Sequence, residues 1–408
     1  MHILHSTVGL LLIAALTALA ARRIHLPYTV GLTVVGLGMA WLHADVGLTL
    51  TRNLIFEVLL PPLLFEGALS LPWGALKRDA WPIGLLAIGG VGAAVLVLAC
   101  GMKWGAGWPW EAALIFGALL AATDPVSVLA VFKEARIEGR LKHVMEAESL
   151  LNDGVAAVAF SLVVGAAATT HTGAGAAGPH LGGMAWLAVG GVLIGAAVAG
   201  AAIALAGRTT DPLVETTLTT VAAYGSFALA EAGHTSGVLA AVAAGLVMGN
   251  AGMMRQEGAG AISARGREVV AAFWEFAAFV ANSLVFLLIG VRLAHIPFAA
   301  LGAGALALAI LLSVLARALG VYGLCGVFAR SPLRIDTRHQ HALFWGGLRG
   351  ALALALALSL PPDLPRRDAV VIATFGVVAF SVLVQGITMP LLLRRLGLTA
   401  LFTKDTQT

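Results

Sequence analysis

Asp124, Asp153, Glu66 and Glu148 lie inside long apolar runs of the sequence. An ionisable side chain at the middle of a bilayer costs about 2.5 to 3.5 kcal/mol on insertion scales, so each needs a partner or a function. The clearest pattern is Glu148-Ser149-Leu150-Leu151-Asn152-Asp153-Gly154. At about 100° per residue, positions 148, 149, 152 and 153 share one sector of a helix about 140° wide, while Leu150 and Leu151 face elsewhere. That polar sector must meet protein or water rather than lipid. Glu146, nearer the end of the run, fits a capping or interfacial role.

Other runs carry polar residues at weak points. Thr123-Asp124-Pro125 interrupts one of them. Pro125 has no N–H for the carbonyl of Ala121 and biases Asp124 away from helical geometry. Free carbonyls beside a carboxylate form a cation site in small; the plainer alternative is a proline kink with Asp124 turned to a loop. Pro61-Pro62-Leu63-Leu64-Phe65-Glu66-Gly67 is a second disturbed helix with an acid in it. In Trp345-Gly346-Gly347-Leu348-Arg349-Gly350 glycines loosen the chain around a buried cation. Arg317 lies deep enough in its run that pairing with an acid is favoured over snorkelling.

Carboxylate, hydroxyl and carbonyl oxygens are hard ligands, and no thiolate or imidazole set accompanies them, so an alkali cation fits best. Cys100 and Cys325 stand far apart in apolar runs and build neither a disulfide framework nor a thiolate site. A carboxylate at Asp153 in a low dielectric is neutralised by either a proton or a cation. The loaded form then crosses while the empty, charged form is held back. No catalytic residue and no cofactor is expected. An intramembrane hydrolase using Asp124 and Asp153 as an acid–base pair is a weaker alternative, since there is no HExxH motif and no serine–histidine arrangement in these runs. A sodium-coupled organic-anion symporter would need a larger cavity and anion-binding donors.

The elements that position these residues are membrane helices. Of 408 residues, 59% are hydrophobic and 11% charged, against roughly 25% charged in soluble domains. The formal charge of +4, with no basic stripe, excludes nucleic acid as a main partner. Thirteen apolar runs follow one another: 4–21, 26–43, 54–71, 81–102, 109–132, 144–170, 181–206, 213–232, 236–251, 268–291, 298–328, 340–360 and 369–393. The first lacks the basic start of a signal peptide and reads as an uncleaved helix. Of the 25 Lys and Arg, 18 fall in odd-numbered loops and the tail, five in even-numbered loops, and Arg317 and Arg349 lie inside runs. Basic residues collect in cytoplasmic loops, so the N-terminus is expected outside and the C-terminus inside. Thirteen spans divide as six, one and six, compatible with six-helix inverted repeats in which runs 5 and 12 correspond. The expected fold class is an all-α polytopic membrane protein.

Taken together, Leu63-Leu64-Phe65-Glu66-Gly67-Ala68, Ala122-Thr123-Asp124-Pro125-Val126-Ser127-Val128, Glu148 to Gly154, Ala316-Arg317-Ala318-Leu319-Gly320 and Gly346-Gly347-Leu348-Arg349-Gly350-Ala351 resemble the monovalent cation–proton antiporter-1 family of NhaP-type and animal sodium/proton exchangers. The resemblance implies a thirteen-helix homodimer with crossing broken helices 5 and 12 between a dimer domain and a moving core domain, interleaved in one transport unit over 1–396. A short cytoplasmic tail, 397–408, would follow, without the large regulatory region of many relatives. It implies a bacterial inner-membrane protein of sodium transport and pH homeostasis that exchanges Na⁺ or Li⁺ for H⁺, with K⁺ as the alternative cation. Asp153 would be the ion-binding acid with Asn152 beside it. Asp124, Ser149 and the Thr123 carbonyl would hold Na⁺ with it, and Glu66 would complete or approach the site. Glu148 would pair with Arg317, and Arg349 would support the core near the crossing. Members with Asn-Asp at 152–153 are taken as electroneutral, which implies one Na⁺ for one H⁺.

Overall fold

A backbone in hydrocarbon satisfies its polar groups internally, and long Leu, Ala, Val and Ile runs do so as helices. The computed structural model describes residues 2–24, 26–43, 47–124, 126–134, 137–172, 181–253 and 261–398, and among them the chain is helical with a single isolated bridge between extended residues. Pro125, on which the expected kink in run 5 rests, and the tail after 398 lie outside the described residues. In chain order the main helices are α1 (His2–Arg23), α2 (Tyr28–Trp41), α3 (Leu60–Leu69), α4 (Ala80–Gly105), α5 (Trp110–Ala121), α6 (Val126–Glu134), α7 (Arg140–Thr172), α8 (Leu181–Ala206), α9 (Pro212–Ala232), α10 (Gly237–Val247), α11 (Ala264–Leu293), α12 (Ala303–Val327), α13 (Thr337–Gly346), α14 (Ala351–Leu358) and α15 (Arg367–Arg395). Six of the described helices are individually long and apolar enough to cross a membrane. The outer surface agrees: Leu12, Leu19, Ile88, Leu96, Leu193 and Leu311 are each more than half exposed, as lipid-facing residues are. Trp41, Trp81 and Trp104 stand exposed near helix ends, where indole rings settle at the membrane interface.

Two packing features bear on the site. Phe65, Ala202, Ala223, Ala244 and Trp274, from α3, α8, α9, α10 and α11, belong to a buried cluster separate from the main core. The Trp274 indole N–H donates to Thr219 Oγ1 at 2.9 Å, binding α11 to α9. Elsewhere, fully buried Asp79 accepts from Arg140 at 2.8 Å, and Arg140 also donates to the carbonyls of Leu333 and Arg334. That staple joins the starts of α4 and α7 to the loop before α13.

The helices α2 and α11 meet backbone to backbone. A Cβ on Gly290 would stand 2.1 Å from the Thr33 carbonyl oxygen. Gly290→Ala therefore forces the helices apart, and overpacking of this kind costs about 1 to 3 kcal/mol. Thermal unfolding in detergent should show a lowered midpoint; an unchanged midpoint would show that the two backbones do not touch there.

Candidate functional site

Run 5 is broken between α5 and α6, and run 12 between α13 and α14. Ala122 leaves the helix at φ −59°, ψ 140°, and Gly347 does so at φ −74°, ψ 63°. The two gaps cross in space: the Asp124 N–H donates to the Leu348 carbonyl at 2.7 Å, an isolated antiparallel bridge.

Each break strands the last carbonyls of the half-helix before it. Arg349 Nη1 donates to the carbonyls of Ala121 and Ala122, at 3.1 and 3.0 Å, closing the end of α5. Arg317 donates through Nε and Nη2 to the Leu343 carbonyl, at 3.3 and 3.0 Å, in the last turn of α13. Guanidinium charge is favourable at these C-terminal ends. Asp124 stands at the opposite poles. It precedes α6, and a Cβ on Gly350 would lie 2.2 Å from its Oδ2, so the carboxylate presses on the start of α14. An anion is favourable at such a helix N-terminus.

The polar sector of α7 is buried, with Glu148, Ser149, Asn152 and Asp153 at 0%, 2%, 2% and 8% exposure, and it divides in two. Glu148 takes a bidentate pair from Arg317, at 2.7 and 3.1 Å. Asn152 Nδ2 donates to Glu148 Oε1 at 3.3 Å, so this side chain turns toward the ion pair. Ser149 Oγ lies 3.1 Å from Thr123 Oγ1 at the break. The Asp153 Oδ1 has no hydrogen-bond partner among the described residues.

A cavity of about 70 Å³ adjoins this carboxylate, lined by Asp153, Asp124, Thr123, Glu66, Glu146 and Gly350. At about 10 to 15 Å³ per water it admits a few waters or an ion, far below the roughly 300 to 1,000 Å³ of organic-ligand sites. An organic-anion symporter is disfavoured on size. No three His, Cys, Asp or Glu side chains converge as a metal-holding group among the described residues.

The crossing brings Asp153, Asp124, Thr123 and Glu66 to one cavity. Ser149 stands behind Thr123, and Asn152 lies off the cavity, on the ion pair. Sequence reasoning gave Glu146 a capping or interfacial role, whereas it lines the cavity at 7% exposure. The available signal was its spacing, seven residues before Asp153 and hence about two turns along one stripe.

A second cavity, about 270 Å³, is lined by Arg52, Ser161, Glu231, His234 and Ser359 beyond the other end of the site and includes none of its acids. Between the two, Leu239 of α10 packs so closely on Gly154 that a Cβ there would meet it at 2.2 Å.

Interrupted helices crossing inside a membrane, with a buried carboxylate facing an ion-sized cavity, define a secondary-transporter fold for a small cation. The chain belongs to the family described as sodium/hydrogen exchanger, transmembrane, which it matches over residues 9–395. It is 41% identical over 396 residues to the Na⁺/H⁺ antiporter ApNhaP of Aphanothece halophytica, covering 95% of this chain and 73% of that one. Over 411 residues it is 36% identical to the Na⁺/H⁺ antiporter NhaP of Pseudomonas aeruginosa, covering 93% and 94%. Its fold is similar to that of the sodium proton antiporter MjNhaP1 from Methanocaldococcus jannaschii at pH 8, with a TM-score of 0.76 at 20% identity over 97% of this chain and 99% of that one.

Proposed function

We propose that this protein exchanges Na⁺ or Li⁺ for H⁺, one for one, with both ions using the Asp153 carboxylate in turn. The observation that carries this reading is the Asp153 Oδ1, without a protein partner and beside a cavity of ion size. Asp124, Thr123 and Ser149 supply the further oxygens, with Glu66 on the approach. Asn152 and Arg349 position the surrounding chain. Glu148 is held by Arg317. If Glu148, Asp124 and Glu66 all keep a fixed protonation state, one positive charge moves each way.

The assembly follows from the same reading. The cluster that unites α3 and α8 to α11 is the stationary, dimer-forming body, and the crossing helices with α4, α7, α12 and α15 are the moving core. The chain crosses a bacterial inner membrane thirteen times as a homodimer, with its N-terminus outside and C-terminus in the cytoplasm, on the strength of the Lys and Arg distribution.

In proteoliposomes free of organic solutes, a pH gradient alone should drive uptake of labelled Na⁺. A valinomycin-set voltage at zero pH gradient should not, although a net charge would be driven by about 2.3 kcal/mol per 100 mV. Accumulation under voltage alone would overturn the one-to-one ratio, and no Na⁺ movement under the pH gradient would overturn the exchange itself.

A further inference from the structure

The cavity beside Asp153 is longer than the site needs. Besides the residues of the crossing, it is lined by Leu60, Leu63, Glu66 and Glu146. Glu146 and Asp153 are seven residues apart on α7, about 10 Å along its axis and about 20° apart around it, so they stand on one stripe. Both line the same space, and Glu146 lies on the side where α7 begins, toward the basic end of the run with Arg140, Lys142 and His143.

Glu146 is an unusual carboxylate. It is 7% exposed, yet among the described residues it makes no hydrogen bond and no ion pair. The charged groups within its electrostatic reach are Lys142, one turn earlier on α7, and Glu66, across the cavity on α3. Lys133, which also acts on Glu66, is itself paired with Glu275 at the surface. No guanidinium neutralises either acid. A buried carboxylate without a protein partner is retained at a cost, and a cavity wall of one sign of charge concentrates cations. On the proposed division of the chain, Glu66 belongs to the stationary body and Glu146 to the helix that carries Asp153. They face each other across a space that leads to Asp153 and to no other acid-lined cavity among those described.

We propose that Glu146, facing Glu66, forms an inner station for the monovalent cation, where the ion arriving from the cytoplasm sheds part of its water before passing to Asp153. The proposal rests on the reading of Asp153 as the exchange site. The station acts on one side only, because Glu146 lies on the side of Asp153 where α7 begins, whereas on the other side Leu239 of α10 packs against Gly154. Glu146 rides with Asp153, whereas Glu66 stays with the opposite body. The station is therefore assembled when Asp153 faces the cytoplasm and taken apart when it does not.

The test is the Na⁺ dependence of exchange measured from each face, with everted membrane vesicles presenting the cytoplasmic face and right-side-out vesicles the outer one. Glu146→Gln keeps size and loses charge. It should raise half-saturating Na⁺ on the cytoplasmic face about three- to tenfold, the order expected for losing one carboxylate at a partly desolvated site. Half-saturation on the outer face and the maximal rate should stay within about twofold of wild type. Glu146→Asp should lie near wild type on both faces. An unchanged half-saturation, an equal shift on both faces, a shift confined to the outer face, or a collapsed maximal rate would each overturn the station. Asp153→Asn is run in parallel: if it still exchanges, the reading of the main site falls, whereas an inactive Asp153→Asn with an unshifted Glu146→Gln removes the station alone.

Discussion

Asp153→Asn should reduce pH-gradient-driven Na⁺ flux to that of protein-free vesicles while leaving the protein folded, and it should raise thermal stability. Both effects come from one atom. The Asp153 carboxylate is 8% exposed and leaves Oδ1 without a partner among the described residues. Asparagine has the same shape and size, so the local geometry survives. The amide, however, takes up no proton and carries no charge to offset a cation, and the cycle loses the one group whose load changes. Removing a buried, incompletely compensated charge relieves a desolvation cost, which is why stability should rise. Ligand linkage gives an independent readout. Na⁺ at 100 times its dissociation constant stabilises the wild-type protein by about 2.7 kcal/mol, and Asp153→Asn should lose this Na⁺-dependent shift. Asp124→Asn should also be severely impaired, but by another route and with the opposite sign in stability, because its carboxylate presses on the start of α14 and helix N-termini favour an anion. Wild-type Na⁺ flux from Asp153→Asn would remove Asp153 from the mechanism.

Much of this site was readable in the sequence because it depends on local chemistry. The breaks in runs 5 and 12 follow from Thr123-Asp124-Pro125 and from the glycines around Arg349, and the single polar face of α7 follows from the spacing of 148, 149, 152 and 153. What the sequence lacked was direction within that face. Asn152 and Asp153 are adjacent, yet one turns to Glu148 and the other to the cavity, a division set by which neighbour occupies each side. The destination of the two arginines was also hidden. Arg349 closes the end of a half-helix more than 200 residues away, and no periodicity records a tertiary contact of that span. Glu146 shows a different failure. Its place near the start of α7 suggested an interfacial cap, and only the cavity wall reveals that it shares the stripe of Asp153. The wider π turns at Leu54–Leu59, Leu85–Gly89, Leu319–Gly323 and Ser381–Gly386 had no sequence signal either, since each is a small local change in hydrogen bonding inside a continuous apolar run.

Breaking the Glu148–Arg317 pair from either side should cost more stability than removing both partners together would suggest. Glu148 is fully buried and Arg317 nearly so, at 0% and 9% exposure, with contacts of 2.7 and 3.1 Å. Removing one partner of a buried pair typically costs about 3 to 5 kcal/mol, because the other charge is left uncompensated. The two single changes differ in what remains. In Glu148→Ala the guanidinium keeps the Leu343 carbonyl, a dipole that offsets part of its charge. In Arg317→Ala the carboxylate keeps only the Asn152 amide at 3.3 Å, and the end of α13 loses its cap as well. Arg317→Ala should therefore be the more destabilising of the two. Combining them leaves no stranded charge, so the double variant should recover part of the summed loss, with a coupling of about 0.5 to 3 kcal/mol as found for residues in direct contact. Thermal or denaturant unfolding of the four proteins in one detergent measures it, and strictly additive losses would show that the pair does not interact. The same four proteins also separate support from transport. The pair lies off the cavity, so on the proposed mechanism, in which Asp153 alone changes its load, the folded double variant should still exchange Na⁺ for H⁺.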